Sequence, residues 1–159
     1  MKKTNGKRNR AAGHGYERAV VKLFQEIGFK DVVTSRSGNR LRDKEKVDLV
    51  NSDELLHGRF PYNVQCKCTV KALAYPALLK QLPKVPGIIN VILHKQTKRS
   101  GTRFMSAQSY AILYQEEFIE LLNLSDSSFI TNPSFIASSL FIFTPKNSLI
   151  IKLAPPFPD

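Results

Sequence analysis

Asp48, Gln65 and Lys67 are the residues whose types and spacing could do chemistry. Asp48 stands in the run Val47-Asp48-Leu49-Val50, and Gln65 and Lys67 stand in Tyr62-Asn63-Val64-Gln65-Cys66-Lys67-Cys68-Thr69. Both runs have strand composition, and residues two apart on a strand share a face. Gln65 and Lys67 therefore point one way, and Val64, Cys66 and Cys68 point the other, into the core. Asp is depleted in strands, and an unpaired buried charge is costly, so Asp48 needs a partner. A divalent metal ion is an efficient one. Carboxylate and amide oxygens suit Mg2+ or Mn2+ better than Zn2+. Such an ion polarises a phosphate and activates water, while an ammonium such as Lys67 stabilises the developing negative charge. The chemistry would be hydrolysis of a phosphodiester. The ordinary alternative is a strand-end Asp48 beside a strand with one solvated face. Zinc fits poorly, because Cys66 and Cys68 share the apolar side while His14 and His57 lie in separate segments.

Glu17 borders the apolar stripe of a helix and is a further acid for the cluster; its ordinary reading is an N-terminal helix acid favoured by the macrodipole. Basic residues frame the same positions. The chain of 159 residues carries 24 Lys and Arg against 13 acids, a formal charge of +11. Lys7, Arg8 and Arg10 precede Glu17. Arg36, Arg40 and Arg42 precede Asp48, and Lys67 and Lys71 follow it. A clustered excess of this kind fits a polyanion such as nucleic acid. Aromatic residues do not interleave with it, which favours duplex or branched DNA over stacked single strands.

The elements that must position these residues follow from periodicity. Residues 1–12 read as a flexible basic arm. Tyr16, Val20, Leu23, Phe24 and Ile27 recur at helical spacing and stop at Gly28. A short strand is expected at 31–35, a charged loop at 36–46, strands at 46–51 and 61–69, and a helix over 72–84 with Pro76 in its first turn. Gly87 to Leu93 has the apolar continuity of a buried strand. A basic turn at 95–103, a short edge strand at 103–106 and an amphipathic helix over 109–122 complete a domain at 13–122. The tail, 123–159, reads as a β-rich extension packed on the same domain, with strands at 140–143 and 149–153 in a hairpin. The fold class is α/β, a mixed sheet flanked by helices. The two cysteines imply no disulfide framework, the N-terminus does not read as a signal peptide, and a cytoplasmic setting is expected.

Taken together, these residues resemble the PD-(D/E)xK nuclease superfamily, and more narrowly the archaeal-type Holliday junction resolvases and their viral relatives. The resemblance covers about residues 7–110. It rests on a basic segment leading into Gly15-Tyr16-Glu17-Arg18, the loop Ser35-Arg36-Ser37-Gly38 with Asp43 behind it, Asp48 in its strand, and Gln65-Cys66-Lys67. Gln65 stands where the family carries Glu; an amide can still coordinate through its oxygen. The resemblance implies a restriction-endonuclease-like αβββαβ core and an Mg2+- or Mn2+-dependent endonuclease acting on four-way DNA junctions in recombination or repair. It also implies a homodimer. Glu17, Asp48 and Gln65 would hold the metal, with Asp43 as an additional acid, and Lys67 would serve the transition state. Lys7, Arg8, Arg10, Ser35, Arg36, Ser37, Arg40, Arg42 and Lys71 would contact DNA. Two alternatives stand beside it: a restriction-like or repair nuclease on another DNA substrate, and a DNA-binding protein whose site has decayed at Gln65.

Overall fold

The computed structural model describes residues 5–100, 103–124, 140–143 and 148–153. Helix α1 (Asn5–Glu26) leads into β1 (Val32–Thr34) and the short helices α2 (Ser35–Gly38) and α3 (Arg40–Lys44). Strand β2 (Leu49–Asn51), helix α4 (Glu54–His57), strand β3 (Tyr62–Thr69) and helix α5 (Tyr75–Leu79) follow. A long hairpin of β4 (Ile89–Ser100) and β5 (Arg103–Tyr114) precedes α6 (Gln115–Leu124), β6 (Leu140–Phe143) and β7 (Ser148–Leu153).

Five strands form a sheet in the order β3-β4-β5-β7-β6. The β3–β4 pair is parallel, which requires the crossover that carries α5, and the remaining pairs are antiparallel. The fold is thus a mixed α/β sandwich. Strands β1 and β2 make a separate antiparallel pair, docked beside the free edge of β3 through the Asp48 N–H, which donates to the Val64 carbonyl at 2.7 Å.

Two apolar layers flank the main sheet. Helix α1 contributes Tyr16 and Val20 to a cluster with Val64, Cys66, Leu49 and Phe60. On the other side Leu79 and Leu82 pack with Ile92, Ile112, Val47 and Val50. Phe24 closes the first layer edge-on against Phe60, with ring centroids 5.2 Å apart.

The structure departs from the sequence expectation in several places, among them residues 95–100, expected in a basic turn, which continue β4 to Ser100, and 103–106, expected as a short edge strand, which open the twelve-residue β5. Residues 5–12, expected as an arm, are the first turns of α1; Ala11 and Ala12 favour helix, and the buried turns behind them serve as a nucleus. The expected loop at 36–46 folds into α2 and α3. Helix α5 is a shorter core of the expected 72–84 span. Residues 109–114, expected as helix, are the end of β5, and α6 begins only at Gln115. The run Ser109-Tyr110-Ala111-Ile112-Leu113-Tyr114 is rich in β-formers, and pairing with β4 and β7 overrides its helical spacing. Strands β6 and β7 of the tail do form a hairpin and extend the main sheet.

Candidate active site

Asp48 sits at the seam between the small sheet and β3, one residue before β2 rather than inside it. Its backbone is held on both sides: besides the bond to Val64, its carbonyl accepts from the Ser35 N–H at 2.8 Å. Two residues earlier, Lys46 takes a φ of 66°, a left-handed turn that brings the chain out of α3. The Asp48 carboxylate is aimed by one further bond, in which Oδ2 accepts from the Cys66 N–H at 2.7 Å. Backbone N–H and C=O of one strand residue leave the same edge, so the Cys66 carbonyl lies on the Asp48 side of β3.

Glu17 reaches this seam from α1, where Tyr16 and Val20 bury their side chains and carry Glu17 inward to 7% exposure. Its Oε1 accepts from Arg36 Nη2 at 3.0 Å. The same guanidinium meets Asp43 through Nε at 3.5 Å and touches His14 Nε2 through Nη1. Arg36 owes its position to α2, whose first residue bonds to Asp48 and whose last, Gly38, lies against Val33 and Val50.

The charges in the seam act on one another. Burial pushes the Glu17 carboxyl above its ordinary value, and the Asp48 charge adds to the rise while Arg36 and Lys67 oppose it. Burial raises the Asp48 carboxyl as well, against the pull of the Cys66 N–H, Lys67 and Arg36. Lys67 is half-buried and is felt by both acids, so Glu17, Asp48, Lys67, Arg36 and Asp43 share one electrostatic neighbourhood. The Cys66 thiol is driven well up by burial, which makes it a poor nucleophile.

Gln65 is not on an open face, as the alternation in sequence suggests. It is 2% exposed and pairs in register with Ile92, itself buried under Leu79 and Leu82. Its Oε1 has no hydrogen-bond partner among the described residues, and neither does the buried Ser35 hydroxyl. A buried acceptor left open costs about 1–3 kcal/mol, a cost that a cation or another donor would remove. Gln65 stands on the face of β3 opposite Val64 and Cys66, which pack against α1, so the oxygen donors that share one electrostatic neighbourhood are the Asp48 and Glu17 carboxylates, of the kind Mg2+ or Mn2+ takes. No group of three or more His, Cys, Asp or Glu residues among the described residues is arranged to hold a metal.

The expected DNA contacts divide. Arg8 and Arg10 are exposed on the outer turns of α1, which also carries Lys7, while Arg40 and Lys71 are exposed elsewhere. Ser35 is 1% exposed and cannot meet a phosphate. Ser37 is spent locally on the Thr34 carbonyl, and Arg42 is paired with Glu45 at 2.9 Å and Glu54 at 3.5 Å. A groove of about 870 Å³ lies beyond the C-terminal end of β3, lined by Arg8, Ala12, Thr69, Lys71 and Leu73 among others. It adjoins the Lys67 end of the seam but contains neither Asp48 nor Glu17.

Of the residues near the site, His14 entered the sequence reading only as a poor zinc ligand, and His94 did not enter it. His14 precedes Glu17 by nearly one helical turn, a spacing that could have linked them. His94 is fully buried beside Lys67 in register, held between the Thr69 hydroxyl at 2.9 Å and the Tyr75 hydroxyl at 2.8 Å. A His in the apolar run of β4 was its only signal.

No protein-family model, no curated protein and no solved structure matches the chain.

Proposed function

We propose that the protein is a metal-dependent DNA endonuclease with a restriction-endonuclease-like core, acting on four-way junctions as a homodimer in recombination or repair. The observation that carries this reading is the Asp48 carboxylate fixed on the Cys66 N–H, with Glu17 and Lys67 close enough for all three charges to influence one another. Asp48 and Glu17 would hold Mg2+ or Mn2+, with Asp43 at the margin. A bound divalent ion supplies polarisation of the scissile phosphate and an acidified water.

The chain's own residues do the rest. Lys67 donates to the phosphate oxygen on which negative charge develops. Asp48 cannot swing away, because its backbone and carboxylate are both tied to β3. Arg8 and Lys71, lining the groove beyond Lys67, hold the sugar-phosphate backbone leaving the scissile bond. The test is incubation of the protein with a synthetic four-way junction, linear duplex and flap DNA, with Mg2+ or Mn2+. Cleavage preferring the junction supports the reading; equal cleavage of all three moves it to a repair or restriction-like nuclease.

A second reading has its own observation. The neutral Gln65, with no three-acid cluster among the described residues, also suits a DNA-binding protein that no longer cuts. That protein would bind junctions with strong salt dependence and leave them intact in either metal.

A further inference from the structure

Arg36 stands where the proposed metal ligands need to be free. Its guanidinium contacts Glu17, Asp43 and His14 at once, and its charge reaches Asp48. A cation held there occupies carboxylate lone pairs and repels a divalent ion. Yet the contact is poorly suited to being permanent. The Arg36 side chain is 44% exposed and Asp43 is 42% exposed, so that half of the pairing is weak. The other half is different, because the Glu17 side chain is 9% exposed. Stripping the paired guanidinium from a buried carboxylate is costly unless another cation takes its place.

We propose that Arg36 is an exchangeable latch, paired with Glu17 and Asp43 in the free protein and transferred to a DNA phosphate in the complex, where it releases both acids to the divalent ion. The inference rests on the nuclease reading and deepens it. A guanidinium fork matches phosphate geometry as well as carboxylate geometry, so the exchange keeps its hydrogen bonds. Arg36 leaves Glu17 readily only when a metal replaces it, and the metal enters readily only when a phosphate draws Arg36 away. DNA and metal then bind cooperatively, each raising affinity for the other by the same factor. Free protein would stay unloaded at metal concentrations that load the complex.

The experiment is a Mn2+ titration of the full chain followed by electron paramagnetic resonance, alongside junction binding in EDTA. Arg36→Met should bind Mn2+ more tightly than wild type without DNA, by about fivefold or more. The same variant should bind junction DNA more weakly, its salt slope reduced by about one. A merely structural role would weaken both. Arg36→Lys, which keeps a charge at the site and guards against misfolding of the Met variant, should fall between the two in Mn2+ affinity. Unchanged or weaker Mn2+ binding by both variants overturns the latch while leaving the metal site intact. No Mn2+ binding by any of the three proteins, with or without DNA, overturns the latch and the metal-dependent reading together.

Discussion

At the scale of residues, the seam around Asp48 stores instability that function would use. The Asp48 carboxyl is raised from its ordinary 3.8 chiefly by burial, so the folded protein holds this proton more tightly than the unfolded chain. Stability from this group is therefore full below about pH 4 and lost as pH rises through the raised value. Asp48→Asn keeps an acceptor for the Cys66 N–H and removes the ionisation. It should stabilise the protein near pH 7 by about 1 kcal/mol, a gain that shrinks toward pH 4 and is measurable by chemical denaturation at both. His94 works with the opposite sign of charge. Burial lowers it from 6.5, so its folded-state contribution is present above that value and lost as pH falls below it. Wild type should lose stability between pH 7.5 and 5.5, and His94→Gln, though less stable at the start, should lose less over that window.

At the scale of elements, α2 is the piece on which the seam depends. A Cβ at Gly38 would lie 2.9 Å from Val33 Cγ2 and 3.0 Å from Val50 Cγ2, both in partly or fully buried surroundings. Gly38→Ala should cost about 1–3 kcal/mol and move Arg36 off Glu17, and a lowered melting temperature with altered Mn2+ affinity would register both effects. This dependence is only partly legible in sequence. Helix α1, the strand carrying Gln65 and Lys67, and the tail hairpin announce themselves through apolar spacing. Helices α2 and α3 do not, because a four- or five-residue helix has too few turns to make a pattern and is held by tertiary bonds such as Ser35 to Asp48. The burial of Gln65 was equally hidden, since alternation along β3 gives two faces but not what covers them. What could be read from residue types was the acid, acid, Gln-x-Lys order; what could not was that Arg36 would lie among those acids.

At the scale of the whole molecule, the excess of 24 cations over 13 acids sets how the protein meets a polyanion. Junction binding should weaken steeply with salt, and Lys71→Ala in the groove beyond β3 should weaken it uniformly across sequences, lowering the salt slope by about one. Among the described residues no helix is long and apolar enough to cross a membrane. That the Asp48 seam cuts DNA is tested by cleavage of a synthetic four-way junction in Mn2+ by wild type and by Asp48→Asn. Wild type should cleave the junction, and the variant should lose about a hundredfold or more of that cleavage while its binding in EDTA stays within a few-fold of wild type. Equal cleavage by the two proteins would contradict it.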